Sequence, residues 1–227
     1  MRFILVFATV IAAVSTLSAD TVRLEASRDA TLIEDAAGAW ANGSGPVLFA
    51  GRTNQPMNGR RRALVAFDVA SSLPAHAIIE EVSLTLFMTT SHPEPRTLRL
   101  HRVLSDWGEG PSASSGGGGA PSQPGDATWM HTYWDSAYWH HAGGDLTGRA
   151  SAEAVVEDSD FYTWTGGEQL LADVRLWAQA PGRNFGWILV GDELEPQSVK
   201  SFASREESDE ALRPVLEITY RLAGEKP

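Results

Sequence analysis

"EEVSLTLFM", residues 80–88, is the stretch whose reading decides the fold. Val82, Leu84, Leu86 and Met88 share one side of an extended chain, and Ser83, Thr85 and Phe87 take the other. That is the period of two expected of a half-buried β-strand, since helical packing needs apolar residues three and four apart. Working outward, "RALVAFDV" (62–69) precedes it and "RTLRLHRV" (96–103) follows. In the latter, Leu98, Leu100 and Arg102 oppose Thr97, Arg99, His101 and Val103, so one sheet face is partly wet. Further strands are expected at 21–26, 30–34, 46–51, 150–157, 161–165, 185–191, 198–206 and 213–221, each bounded by Gly, Pro, Asn or Asp. One segment breaks the pattern. "GGEQLLADVRLWAQAPGRN" spaces Leu170, Val174 and Trp177 for a helix near 167–179, and Pro181-Gly182 ends it. Many short strands with a single short helix predict an all-β fold, an antiparallel sandwich of jelly-roll type. Its core should include Leu64, Phe67, Val82, Leu84, Leu86, Leu100, Val174, Trp177, Ile188 and Leu216.

The ends and the charge bound the rest. Residues 1–19 read as a secretory signal peptide: Arg2, an apolar run from Phe3 to Val14, then small residues before Asp20. Residues 20–221 then form one β-sandwich domain, and 222–227 a polar tail. The expectation is a protein secreted to the periplasm or beyond, without a membrane anchor. There is no cysteine, so neither a lipid-attachment thiol nor a disulfide framework is available. The formal charge is −11, becoming −12 once Arg2 is removed. Such a chain lacks the basic stripe that a phosphate backbone requires, so nucleic acid is not an expected partner.

Between Trp107 and Asp145 lies a long excursion. Residues 110–125, rich in Gly, Ser and Pro, read as a flexible loop by composition. "DATWMHTYWDSAYWHHAGGD" (126–145) follows, with Trp129, Trp134 and Trp139 five residues apart and Tyr133 and Tyr138 likewise. Five matches neither the strand nor the helix period, so an irregular packed loop is expected.

Taken in order, "RRALVAFDVASSLPAHAIIEEVSLTLFM", "LHRVLSDWGEG", "GDATWMHTYWDSAYWHHAGGD", "ADVRLWAQAPGRNFGWILVGDE" and "SFASREE…RPVLEITY" resemble bacterial DNRLRE-domain proteins, from about Asp29 to Tyr220. The family's signature letters occur only in part, as "SREE" at Ser204–Glu207. The resemblance implies a secreted jelly-roll sandwich, in a family with a carbohydrate-binding branch that includes alginate binders.

Candidate ligand contacts are Trp129, His131, Tyr133, Trp134, Asp135, Tyr138, Trp139 and His140: aromatic faces for sugar rings, with imidazole and carboxylate groups for hydroxyls. Packing competes for the same rings, because a long loop must bury apolar mass to offset its ordering entropy. Most of the rings are expected inside, with one or two at a rim beside His131 or His140. His131, His140 and His141 with Asp135 and Asp145 lack a metal-ligand spacing, so packing is the expected role of the histidines, and a metal stays open. Asp106, Glu109, Asp126, Asp145, Asp192, Glu193, Glu206 and Asp209 sit in turns and offer oxygens for a structural calcium ion, although no cofactor is required. Arg205 is expected to organise a strand-end loop. No nucleophile elbow and no cysteine nucleophile occur. The expected function is a non-catalytic binding or accessory module for extracellular polysaccharide. A structural surface or matrix protein without a small ligand is the alternative, and a metal-dependent enzyme comes third.

Overall fold

The computed structural model describes residues 19–222. The expected signal peptide, apart from Ala19, and the tail beyond Leu222 lie outside the described residues. In chain order the strands are β1 (Asp20–Glu25), β2 (Arg28–Ile33), β3 (Trp40–Asn42), β4 (Val47–Arg52), β5 (Arg60–Ala66), β6 (Ala77–Phe87), β7 (Arg96–Arg102) and β8 (Ala120–Pro121). They continue with β9 (His131–Tyr133), β10 (Ala137–Tyr138), β11 (Ala152–Val156), β12 (Phe161–Thr165), β13 (Trp187–Val190), β14 (Lys200–Ala203) and β15 (Val215–Leu222). The helices are α1 (Val69–Ser72) and α2 (Glu168–Gln179).

The fold is an antiparallel β-sandwich. The smaller sheet runs β1-β15-β6-β12. The larger runs β11-β7-β13-β5-β2-β3-β8, with β4 and β14 branching from β5. Ladders β5–β13 and β5–β2 take both edges of β5 along its middle (Leu64 opposite Ile188 and Ala30), and β4 takes over at Arg61 and Arg60. The chain crosses between sheets after β1, β5, β6, β11, β12 and β14, and β6, the strand with the clean period of two, pairs with β15 and β12.

Between the sheets, Val82, Leu84 and Leu86 of β6 and Leu216 and Ile218 of β15 meet Ala63 and Val65 of β5, Leu98 and Leu100 of β7, and Trp187 and Leu189 of β13. Helix α2 closes one end with Leu170, Val174 and Trp177, one face of a helix at i, i+4 and i+7. Trp177 meets Trp187 edge-on, with centroids 4.4 Å apart. All ten residues expected in the core are buried.

A second apolar cluster lies on the other face of the larger sheet. Ala30 and Leu32 of β2, Leu64 and Ala66 of β5 and Ile188 of β13 are covered by Val103, just after β7, and by Trp107, Ala127, Trp129 and Trp139 from the excursion. The excursion is therefore a third layer. Leu64 and Ile188, expected in the core, belong to this outer cluster.

Three sequence expectations need adjusting. The strand at 62–69 stops at Ala66, because Asp68 accepts from the Ser71 amide and caps the single-turn helix α1, which the sequence reading did not include. Strands β3, β8, β9 and β10 were not foreseen. The Gly/Ser/Pro segment 110–125 is bonded along its length. Ser112 is buried and its carbonyl accepts from Gly43 and Ser44; Ser114 donates to Asn42 Oδ1; Gly117 accepts from Arg61; and Ala120–Pro121 pairs with β3.

Candidate functional site

The third layer is built from short-range bonds that replace a ladder. Asp126 closes its base: Oδ2 accepts from the Gln123 amide at 2.6 Å and Oδ1 from the Ser112 amide at 3.2 Å. Burial raises the Asp126 pKa above the ordinary value, and these donors only partly offset it. Thr128 Oγ1 accepts from the amides of Met130 and His131 and lies 2.9 Å from His131 Nδ1. That turn starts the hairpin β9–β10, whose bend places Asp135 in the left-handed region at φ 61°.

Within this frame the aromatic residues take separate roles. Trp129 is buried beneath two guanidiniums, Arg60 at 4.9 Å and Arg62 at 5.0 Å from its ring centroid. Trp139 is buried and donates from Nε1 to the Thr128 carbonyl. Tyr133 is half-buried, its hydroxyl on Asp106 Oδ2 at 2.7 Å, and Asp106 also holds Arg28 at 2.8 Å. His131 is buried between Trp134, edge-on at 4.7 Å, and Tyr138 at 4.3 Å. Burial pushes its pKa below the usual imidazole value, with Asp135 opposing, so the ring is neutral at pH 7. Of the eight predicted contacts, only Asp135, Tyr138 and His140 are exposed, and Tyr138 reaches 63 %. The rim ring beside His131 is thus a tyrosine, with Trp134 half-buried next to it.

The histidines do not converge. His140 and His141 both turn back onto the buried Asp145, His140 Nδ1 at 2.9 Å and His141 Nδ1 at 3.3 Å, and both their amides donate to it. Burial alone raises the Asp145 pKa, but these donors and the Ser105 hydroxyl outweigh it and hold the carboxyl well below its ordinary range. Most of the turn acids considered for calcium are likewise engaged elsewhere. Glu193 pairs with Arg62, Asp192 with Arg96, and Asp209 caps Ala211. Glu109 and Glu206 instead meet at one place, with Asp29 of β2, and Arg205 joins them as the organiser expected at that strand end.

A second exposed ring was missed by the sequence reading. Trp40, at the start of β3, is 43 % exposed. It lines a cleft of about 600 Å³ with Glu34, Asp35, Gln55, Met57, Asn58 and Gly118. Beneath lies the buried Arg61, which donates to the carbonyls of Asn58, Arg60 and Gly117 and to Gln55 Oε1 and so fixes the cleft floor. Burial pushes its pKa down to about 10, with Glu34 opposing, so it stays cationic at neutral pH.

The turn between β2 and β3 joins the cleft to the third layer. Asp35 Oδ1 accepts from the amides of Ala37 and Ala39, and Gly38 carries φ 65°. A Cβ at Gly38 would meet Thr128 Oγ1 at 2.5 Å and His131 Nδ1 at 2.6 Å, so only glycine lets the turn dock there. One clue to Trp40 was its setting, a lone large ring in "DAAGAWANGSG" with only small turn residues around it. Compared with protein-family models and with curated proteins, the chain matches none.

Proposed function

We propose that this chain is a secreted, non-catalytic binding module for extracellular polysaccharide. Its primary contact would be the cleft beside Trp40, with Tyr138 on the hairpin as a second platform. The observation that carries this reading is the composition of the cleft. An exposed indole stands beside carboxamide and carboxylate side chains, Gln55, Asn58 and Asp35, on a floor held rigid by Arg61. Aromatic faces bury the C–H faces of a sugar ring, and amide and carboxylate groups satisfy its hydroxyls. The net negative charge of the chain favours a neutral polymer over a uronate-rich one, while within the cleft Glu34 is paired with Arg60 and Asp35 lies near the cationic Arg61. The resemblance to DNRLRE-domain proteins points to polysaccharide in general, a uronate polymer such as alginate included.

Affinity electrophoresis against soluble β-glucan, xylan and alginate tests the proposal. The wild type should be retarded by a neutral polymer. Trp40→Ala should weaken that binding at least about tenfold, the loss of roughly 1.4 kcal/mol of ring contact, with no change in melting temperature. Equal retardation of wild type and Trp40→Ala, or none with any polymer, would reject the cleft as a polysaccharide site.

A further inference from the structure

We propose that Asp29, Glu109 and Glu206 hold a divalent cation, calcium by the chemistry of the donors, and that this ion ties the root of the third layer to the edge of the sandwich. The three residues come from far apart: Asp29 from β2, Glu109 from the segment after β7, and Glu206 from the loop after β14. One carboxylate oxygen from each nevertheless lies within 4.8 Å of the other two.

Protein donors reach every carboxylate oxygen of the group but one. The Ser204 hydroxyl serves Glu206 Oε2 at 3.1 Å. Asp29 Oδ2 accepts from the Arg205 amide at 2.7 Å. Glu109 Oε1 accepts from the Asp29 amide at 2.8 Å. A single guanidinium nitrogen, Arg205 Nη1, serves both glutamates, at 3.2 Å from Glu109 Oε2 and 2.8 Å from Glu206 Oε1. Asp29 Oδ1 has no donor, and Asp29 is 0 % exposed. A buried carboxylate oxygen left without a partner is strongly unfavourable, so something absent from the protein's own donors must neutralise it.

Charge counting indicates what. Three carboxylates contribute −3 and Arg205 +1, leaving −2 at the cluster, the charge a divalent cation cancels. The donors are all hard oxygens, without nitrogen or sulfur, which selects calcium-like ions over zinc or copper. Burial also pushes the Asp29 pKa well above its ordinary value, with the Arg205 amide opposing and Glu206 and Glu109 adding to the rise. The rival occupant of the cluster is therefore a single proton on Asp29.

Thermal melts of the chelator-treated protein decide between them. With calcium at a few millimolar, above the ~10⁻⁴–10⁻³ M dissociation constants of extracellular modules, the wild type should gain about 2–8 °C, and magnesium should give less. Asp29→Asn keeps an acceptor for the Arg205 amide and removes the charge, so it should fold and show no calcium shift. Should that variant not fold, Glu206→Gln, at a half-buried position, must raise the calcium midpoint at least tenfold; an unchanged midpoint overturns the proposal. A wild type indifferent to calcium, with Asp29→Asn as stable or more so, assigns the cluster a proton instead.

Discussion

The outer face of the smaller sheet carries Ser83 and Thr85 from β6, Thr163 and Thr165 from β12, and Glu217 and Thr219 from β15, with Thr85 and Thr163 hydroxyls 2.9 Å apart. The outer face of the larger sheet carries Ala30, Leu32, Leu64, Ala66 and Ile188. One face is finished mainly by hydroxyls, with the Phe87–Phe161 pair at one end, and meets water. The other is apolar and needs a cover, which the excursion supplies. The two sides of this sandwich are thus stabilised differently: the core between the sheets by ladders and close packing, the third layer by a few rings and side-chain-to-backbone bonds. Stability and ligand contact divide along the same line, since the inter-sheet core has no exposed surface to offer, while the hairpin and the turn joined to it present Tyr138 and Trp40.

Three measurements test this contrast, in falling order of expected effect. Trp187→Ala removes the indole that packs on Trp177 and Phe67 and donates to the buried Asp173, and should cost about 3–5 kcal/mol in urea denaturation. A loss below about 1 kcal/mol would mean the inter-sheet core is not the main source of stability. Trp129→Ala should cost roughly 2–3 kcal/mol, the ring's burial plus its contacts with Arg60 and Arg62, while far-UV dichroism keeps its strand signature. Loss of that signature would show that the two layers fold only together.

The third measurement concerns pH and is the smallest, on the order of 1 kcal/mol. Asp145 titrates lower in the folded chain than in the unfolded one. Its stabilisation is therefore fully present above the unfolded value of about 3.9 and is lost as pH falls below it. Denaturation at pH 7, 4 and 3 should show the wild type losing more stability than Asp145→Asn over that interval. Parallel losses would remove Asp145 from the account of how the layer is pinned.

Much of the fold was legible in the sequence. The eleven strands expected from periodicity and turn residues all occur, as does α2, because their apolar residues are long enough runs to show a period. β3, β8, β9 and β10 span two or three residues each, too few for any period to register. The third layer had a readable sign that periodicity alone did not interpret. "ALVAF" at 63–67 and "WILV" at 187–190 are unbroken apolar runs, as strands covered on both faces must be, whereas β6 alternates. Within the aromatic loop, residue type identified the packing mass but not which ring faces water. Tyr138, not a tryptophan, holds the rim, since Trp129 and Trp139 reach the sheet and Tyr138 stacks outside His131. Asp29 escaped notice altogether. A carboxylate inside a strand run, next to "ATLI", was its only sign, and its partners arrive from segments some 80 and 177 residues further along the chain.

The chain's eight tryptophans are divided among these regions in a way that determines how it will look to light. Trp164, Trp177 and Trp187 sit between the sheets; Trp107, Trp129, Trp134 and Trp139 belong to the third layer; Trp40 stands in the open. Intrinsic fluorescence therefore weights an element that contributes almost nothing to the β-ladder, while far-UV dichroism weights the ladder and nearly ignores that element. On heating, an emission red-shift that runs ahead of the dichroism change would be the optical signature of the cover lifting from a sandwich still intact beneath it.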